Sequence, residues 1–124
     1  MQKVKTYYIS VGTFRRTLEL RIGGDKKYFN KEYSELGFDY DLTGGFYYFD
    51  TNNNCNVIWL RDYNLNTLVH ELIHCVIEML DQVGVDPKGE PIAYMYEEMF
   101  TKIMSKCGKY FKLDADTKAF YNLN

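Results

Sequence analysis

The sequence has few of the residues that mark disulfide-rich, basic or membrane-spanning proteins. Its 124 residues include three cysteines, two prolines and two histidines. The cysteines (Cys55, Cys75 and Cys107) are widely spaced and odd in number, so they form neither a disulfide framework nor a paired zinc-binding motif. Reduced thiols are typical of cytoplasmic proteins, and we expect that location.

Charge of one sign is not in excess either. The 15 basic and 17 acidic side chains leave a formal net charge of −2. A general nucleic-acid-binding protein needs a broad basic surface that neutralises many phosphates. The composition therefore predicts that the partner is not a nucleic acid.

Long apolar runs are also absent. A helix that spans a bilayer needs about 20 consecutive apolar residues, and no segment approaches that length. The first eight residues lack the apolar segment of a signal peptide, so we expect the mature protein to begin at Met1 and to stay off membranes. The chain is long enough for one hydrophobic core, which predicts a single domain over residues 1–124.

The first half of the chain has patterns that are typical of strands. Alternating apolar and polar residues, or short apolar runs between turn residues, occupy the segments 4–11, 14–22, 38–42, 46–49 and 57–60. The last two flank a polar, asparagine-rich stretch. They predict an antiparallel hairpin with a long loop.

The second half changes to the helical period. Apolar residues recur every three or four positions over 66–83, where Asn64 or Asn66 can cap the start and Gly84 can end the helix. A second helix has Pro91 in its first turn and stops at Gly108.

A short last helix is expected to extend to Leu123, with Asp114 or Asp116 as its cap. Together these segments predict an α+β fold. An N-terminal antiparallel sheet would pack against the helix over 66–83 and the helix that follows it.

Both histidines lie in one pentapeptide, His-Glu-Leu-Ile-His, within the first long helix. Residues four apart lie just over one turn apart, so the imidazoles of His70 and His74 project from one face and can bind the same metal ion. Glu71 lies about 100° round the helix, where its carboxylate can reach a water on the metal and act as a general base. Either histidine alone would be more simply a core or surface residue. The pair with Glu71 favours a metal site, either catalytic or only stabilising the fold.

The segment 67–76 resembles the active-site helix of the zincin metallopeptidases, and the apolar run 57–60 is similar to the strand before that helix. The same region resembles small zincin-like proteins encoded by tailed bacteriophages. The resemblance implies a Zn²⁺ ion bound by His70 and His74. It also implies that Glu71 is the catalytic base for attack of a zinc-bound water on a peptide bond.

The third ligand has two candidates. In the glutamate zincins it is a glutamate on the following helix, and Glu90 with the adjacent Pro-Ile-Ala matches that context. A simple antiparallel pair of helices would instead place a residue near 97 opposite His74, which favours Glu97. The two lie about 10 Å apart along one helix, so only one can bind the ion. We prefer Glu90, because the loop 84–89 can run back along the first helix.

Two functions follow from these expectations. The first is a small zinc-dependent metallopeptidase acting on a peptide or protein substrate in the cytoplasm, with Tyr63, Tyr94 or Tyr96 as a donor to the oxyanion because there is no third histidine. The alternative is a non-catalytic assembly or host-interaction protein of the bacteriophage type, which binds a protein partner in the host cytoplasm and keeps a zincin-like core stabilised by metal.

Overall fold

The computed structural model describes residues 3–120, which form four strands and four α-helices. In chain order these are β1 Lys5–Val11, β2 Arg16–Ile22, α1 Lys26–Tyr33, β3 Gly45–Asp50, β4 Cys55–Leu60, α2 Leu65–Gln82, α3 Glu90–Cys107 and α4 Ala115–Phe120. Among the residues described, no helix combines the length and hydrophobicity that crossing a bilayer requires.

The four strands form one sheet in the order β1-β2-β4-β3. The α+β class is confirmed, and so is the β3–β4 hairpin, but the predicted long loop is wrong, because the strands extend into the polar stretch and only residues 51–54 connect them. The prediction of an antiparallel sheet is wrong for the central pair, because β2 and β4 run parallel, with Leu20 opposite Ile58. Residues 57–60 are all buried, as expected of a central strand covered on both faces.

Helices cover the sheet on both faces. On one face α2 and α3 bury the larger cluster of aliphatic side chains from β1, β2 and β4. On the other face α1 adds Phe29 and Tyr33 to an aromatic cluster with Phe46 and Trp59. Helix α1 was not predicted, since these two residues are its only buried positions and eight residues give little periodicity.

The segment 38–42, in which apolar and polar residues alternate, does not form a strand. Residues Tyr40–Leu42 form a 3₁₀ turn that begins at Asp39, whose side chain accepts a hydrogen bond from the Asp41 amide at 3.0 Å. Leu42 is 85% exposed, so the apolar positions of this segment do not share a buried face. Local capping by Asp39 therefore prevails over the two-residue period.

The helices α2 and α3 begin and end close to the capping residues that the sequence predicted. The side chain of Asn64 caps α2 by accepting a hydrogen bond from the Thr67 amide at 3.2 Å, and Gly84 follows the end of the helix with a positive φ of 76°. Helix α3 begins at Glu90, with Pro91 in its first turn, and ends before Gly108.

Asp114 caps α4 by accepting a hydrogen bond from the Thr117 amide at 2.7 Å. The predicted end of that helix, at Leu123, lies outside the described residues. The three cysteines are free thiols, and Cys75 and Cys107 are buried in the core.

Gly45 allows α2 to lie close to strand β3. A Cβ atom at this position would come within 2.7 Å of Thr67 Cγ2, 2.8 Å of Leu60 Cδ2 and 2.9 Å of the Trp59 carbonyl oxygen. These distances leave no room for a methyl group. The close approach brings the first turn of α2 against the sheet edge.

We expect Gly45→Ala to lower the free energy of unfolding by about 1–3 kcal/mol, because the added methyl group overpacks this contact. Denaturant unfolding measures the change. The matched control is Gly44→Ala, whose added Cβ would meet only Thr67 Oγ1, at an ordinary 3.9 Å. Equal destabilisation by the two variants would contradict the packing argument.

Candidate metal centre

The two histidines lie on the outer face of α2. The opposite face buries Leu68, Leu72 and Val76 against the sheet, so the i,i+4 pair His70 and His74 is exposed to solvent. The two imidazole centroids are 5.0 Å apart, with the rings at 73° to each other. The helix therefore presents two imidazoles side by side, as the sequence predicted.

Glu71 occupies the edge of α2 that faces strand β3. Thr67 and Cys75, one turn before and after it, contact this side of the sheet: Thr67 packs at Gly45, and Cys75 is fully buried. The side chain of Glu71 is 12% exposed, against 68% for His70. Burial raises the pKa of the Glu71 carboxyl, and the neighbouring imidazoles of His70 and His74 partly offset this rise.

These three side chains form a group that can hold a metal ion. One ligand atom from each of His70, Glu71 and His74 lies within 4.8 Å of the other two, and Nε2 of His70 is 3.9 Å from an oxygen of Glu71. Two imidazole nitrogens and a carboxylate oxygen are donors that suit zinc. The donor set therefore fits a zinc ion, although two imidazoles and a carboxylate also bind other divalent metals.

The third-ligand candidates do not join this group. Neither Glu90 nor Glu97 belongs to a cluster of potential metal ligands in the part of the chain that the structure describes. Glu90 is the exposed first residue of α3, and Glu97 lines a shallow cavity on the outer surface of α3 with Glu98 and Lys102. The structure thus brings His70, Glu71 and His74 together and leaves the choice of a third protein ligand open.

Of the three tyrosines considered as oxyanion donors, Tyr96 reaches the helix that carries the histidines. Its hydroxyl donates a hydrogen bond to the carbonyl oxygen of Val69, the residue before His70, at 3.5 Å. Burial raises the pKa of Tyr96, which keeps the hydroxyl protonated. Tyr94 is 67% exposed, and the hydroxyl of Tyr63 pairs with another tyrosine. It is the packing of α3 on α2, and no feature of the sequence, that distinguishes Tyr96 from the other two tyrosines.

Strand β3, which contacts α2 at Gly45, has an open edge. It is the last strand of the sheet and pairs only with β4 among the described residues. The Arg61 amide donates a hydrogen bond to the Gly44 carbonyl oxygen at 2.9 Å. In an antiparallel pair, the peptide groups of successive residues point alternately toward the partner strand and away from it, so this bond shows which residues of β3 face β4. It follows that the peptide groups of Gly45, Tyr47 and Phe49 point to the open edge. Within residues 3–120 no further strand pairs with these groups, so they can bind another extended segment.

A comparison of this chain with protein-family models, with curated proteins and with solved structures finds no match. The sheet with α2 and α3 on one face defines a mixed α+β protein that carries a His-Glu-x-x-His group on an exposed helix face. The functional argument therefore rests on this group and on its surroundings.

Proposed function

We propose that the protein is a small zinc-dependent metallopeptidase-like enzyme. The observation that carries this proposal is the position of the group His70, Glu71 and His74 on α2, the helix that packs against the edge strand β3. A bound zinc ion would supply Lewis acidity and lower the pKa of a water ligand to about 7.

In this proposal the residues of the chain have separate tasks. His70 and His74 hold the ion, and Glu71 accepts a proton from water at the site, since its carboxylate lies within 4.8 Å of both imidazoles. The partial burial of Glu71 supports this role, because a carboxylate that is largely shielded from water is a stronger base than one in bulk solvent.

The open edge of β3 suits an extended peptide as the substrate. A peptide that adds to the sheet as a further strand can hydrogen-bond to the outward peptide groups of Gly45, Tyr47 and Phe49. Because α2 contacts β3 at Thr67, a peptide on this edge would lie alongside the turn of α2 that carries Glu71. Main-chain binding of this kind requires little of the substrate side chains.

A second candidate function is binding of a protein partner without catalysis. An exposed apolar surface between α1 and β3 favours it, where Leu36 is 38%, Phe38 45% and Leu42 85% exposed. Of the aromatic residues of the β3–β4 hairpin, Phe46 and Trp59 are buried and do not contribute, and the others are half-buried. In this alternative, which is the phage-type assembly or host-interaction role, the metal would only stabilise the core.

The test is metal analysis followed by a peptidase assay. The protein purified without added metal should contain about one zinc per chain, and the zinc-loaded protein should cleave members of a library of unstructured peptides. Removal of zinc with a chelator should stop cleavage, and zinc added back should restore it. Zinc binding without any cleavage would leave the partner-binding function in its place.

The third ligand is tested by a pair of variants. We expect Glu90→Gln to weaken zinc affinity by more than about tenfold and Glu97→Gln to leave it nearly unchanged, because the loop before α3 allows Glu90 to approach His74. Competition with a chromophoric chelator measures both affinities. The opposite order would assign the role to Glu97, and no effect from either variant would leave water as the remaining ligand.

A further inference from the structure

A second cavity lies at the ends of the two parallel strands, away from the group on α2. It has a volume of about 290 Å³ and is lined by Ile22 and Gly23 at the end of β2, by the segment 61–63 after β4, and by Lys3 and Lys5. The strands β2 and β4 are neighbours and run in the same direction, so their carboxyl ends open on the same side.

The chain leaves these two strands toward opposite faces of the sheet. After β2 it enters α1, which packs on the face of Trp59, and after β4 it enters α2, which packs on the face of Ile58. In open sheets, the crevice where the connections of neighbouring parallel strands diverge in this way is the usual place of a ligand. The sheet here is mixed, and the connections that follow its one parallel pair, β2 and β4, diverge in this way.

Two cationic side chains line the cavity without partners. Neither Lys3 nor Lys5 forms an ion pair or a hydrogen bond with the residues that the structure describes. The backbone of Lys3 is held against the strand ends, because a side chain at Gly23 (φ 101°) would come within 2.8 Å of its carbonyl oxygen. Arg61 adds a fixed positive charge, with its guanidinium 4.0 Å from the centroid of the Tyr40 ring.

A tyrosine pair supplies a further donor. The hydroxyls of Tyr7 and Tyr63 are 2.8 Å apart, and Tyr63 lines the cavity. Of two hydroxyls that bond to each other, one donates and the other keeps its own hydrogen free. When Tyr7 is the donor within the pair, the hydroxyl hydrogen of Tyr63 is free for a ligand, and burial keeps this hydroxyl protonated by raising its pKa. The cavity thus offers two ammonium groups and one hydroxyl hydrogen.

We propose that this cavity binds a small phosphate monoester that also carries a hydroxyl group. Lys3, Lys5 and the tyrosine pair would bind the phosphate oxygens through charge-assisted hydrogen bonds. The carboxylate of Asp62, which also lines the cavity, would accept a hydrogen bond from the hydroxyl group of the ligand. The volume is slightly below the usual range for small-molecule sites, which favours a ligand of few atoms. This proposal does not depend on the metal site.

The probe is glycerol 3-phosphate, titrated into the ¹⁵N-labelled protein in a buffer that contains a chelator, so that metal at His70 and His74 cannot bind the phosphate. We expect saturable shifts of the amide signals of Gly23, Asp62 and Tyr63. The double variant Lys3→Gln/Lys5→Gln should weaken binding by about tenfold or more, since each lysine contributes a charge-assisted hydrogen bond.

The matched control is Lys31→Gln/Lys88→Gln, which removes the same charge from two exposed lysines outside the cavity. It should bind glycerol 3-phosphate as the unchanged protein does. Equal weakening by both double variants would overturn the proposal, as would shifts that do not saturate or that map elsewhere. Binding of a single-stranded oligonucleotide but not of glycerol 3-phosphate would also overturn it and would indicate a nucleic-acid backbone instead.

Discussion

Replacing Glu71 by glutamine is expected to slow peptide hydrolysis by about 10²- to 10⁴-fold, the contribution that a general base commonly makes. Glutamine keeps the shape of the side chain and a carbonyl oxygen, but it cannot accept a proton at neutral pH. Among the residues described, the side chain accepts no hydrogen bond, and its nearest charged neighbour is Nε2 of His70 at 3.9 Å, so the change should not disturb the packing of α2. Zinc content and melting temperature should stay the same.

The measurement is kcat/KM on a cleaved peptide, with zinc content determined for the same samples. Glu78→Gln is the matched control: it removes the same charge from the same helix, two turns further on, at an exposed position outside the metal group. It should retain nearly full activity. If Glu71→Gln cleaves as fast as the unchanged protein, Glu71 is not the base and the catalytic proposal fails.

Replacing His74 by alanine is expected to reduce bound zinc to less than about one tenth of an ion per chain, because one imidazole binds zinc far more weakly than the pair His70 and His74. His74 is exposed and lies outside the core, so the zinc-free variant should unfold at nearly the same temperature as the zinc-free unchanged protein. The rise in melting temperature that zinc gives to the unchanged protein should disappear.

Thermal unfolding with and without zinc, together with metal analysis, distinguishes loss of the ligand from loss of the fold. His70→Ala should behave in the same way, whereas Asn66→Ala, an exposed change one turn earlier on α2, should bind zinc normally. Full zinc occupancy in His74→Ala would show that the ion lies elsewhere.

The sequence alone was sufficient for features that depend on residues within one or two helical turns. The period of apolar residues predicted α2 and α3 to within a residue or two at each end, because each helix buries one face against the sheet. Their ends carry local signals, namely the Asn64 cap, Pro91 in a first turn and the glycine after each helix. The group on α2 was predictable for the same reason, since helical spacing alone brings His70 and His74 side by side.

Tertiary structure decided the features that join distant parts of the chain. The parallel pairing of β2 with β4, the packing of α1 on Trp59 and the contact between Tyr96 and Val69 leave no periodic signal in the sequence. Glu90 and Glu97 both lie on α3, whereas His74 lies on α2. Spacing within one helix therefore does not show which of the two glutamates is the third ligand. The cavity at the strand ends exists only because two strands far apart in sequence lie side by side. Such contacts depend on how complete surfaces pack, whereas short-range periodicity reports only which face of each element is buried.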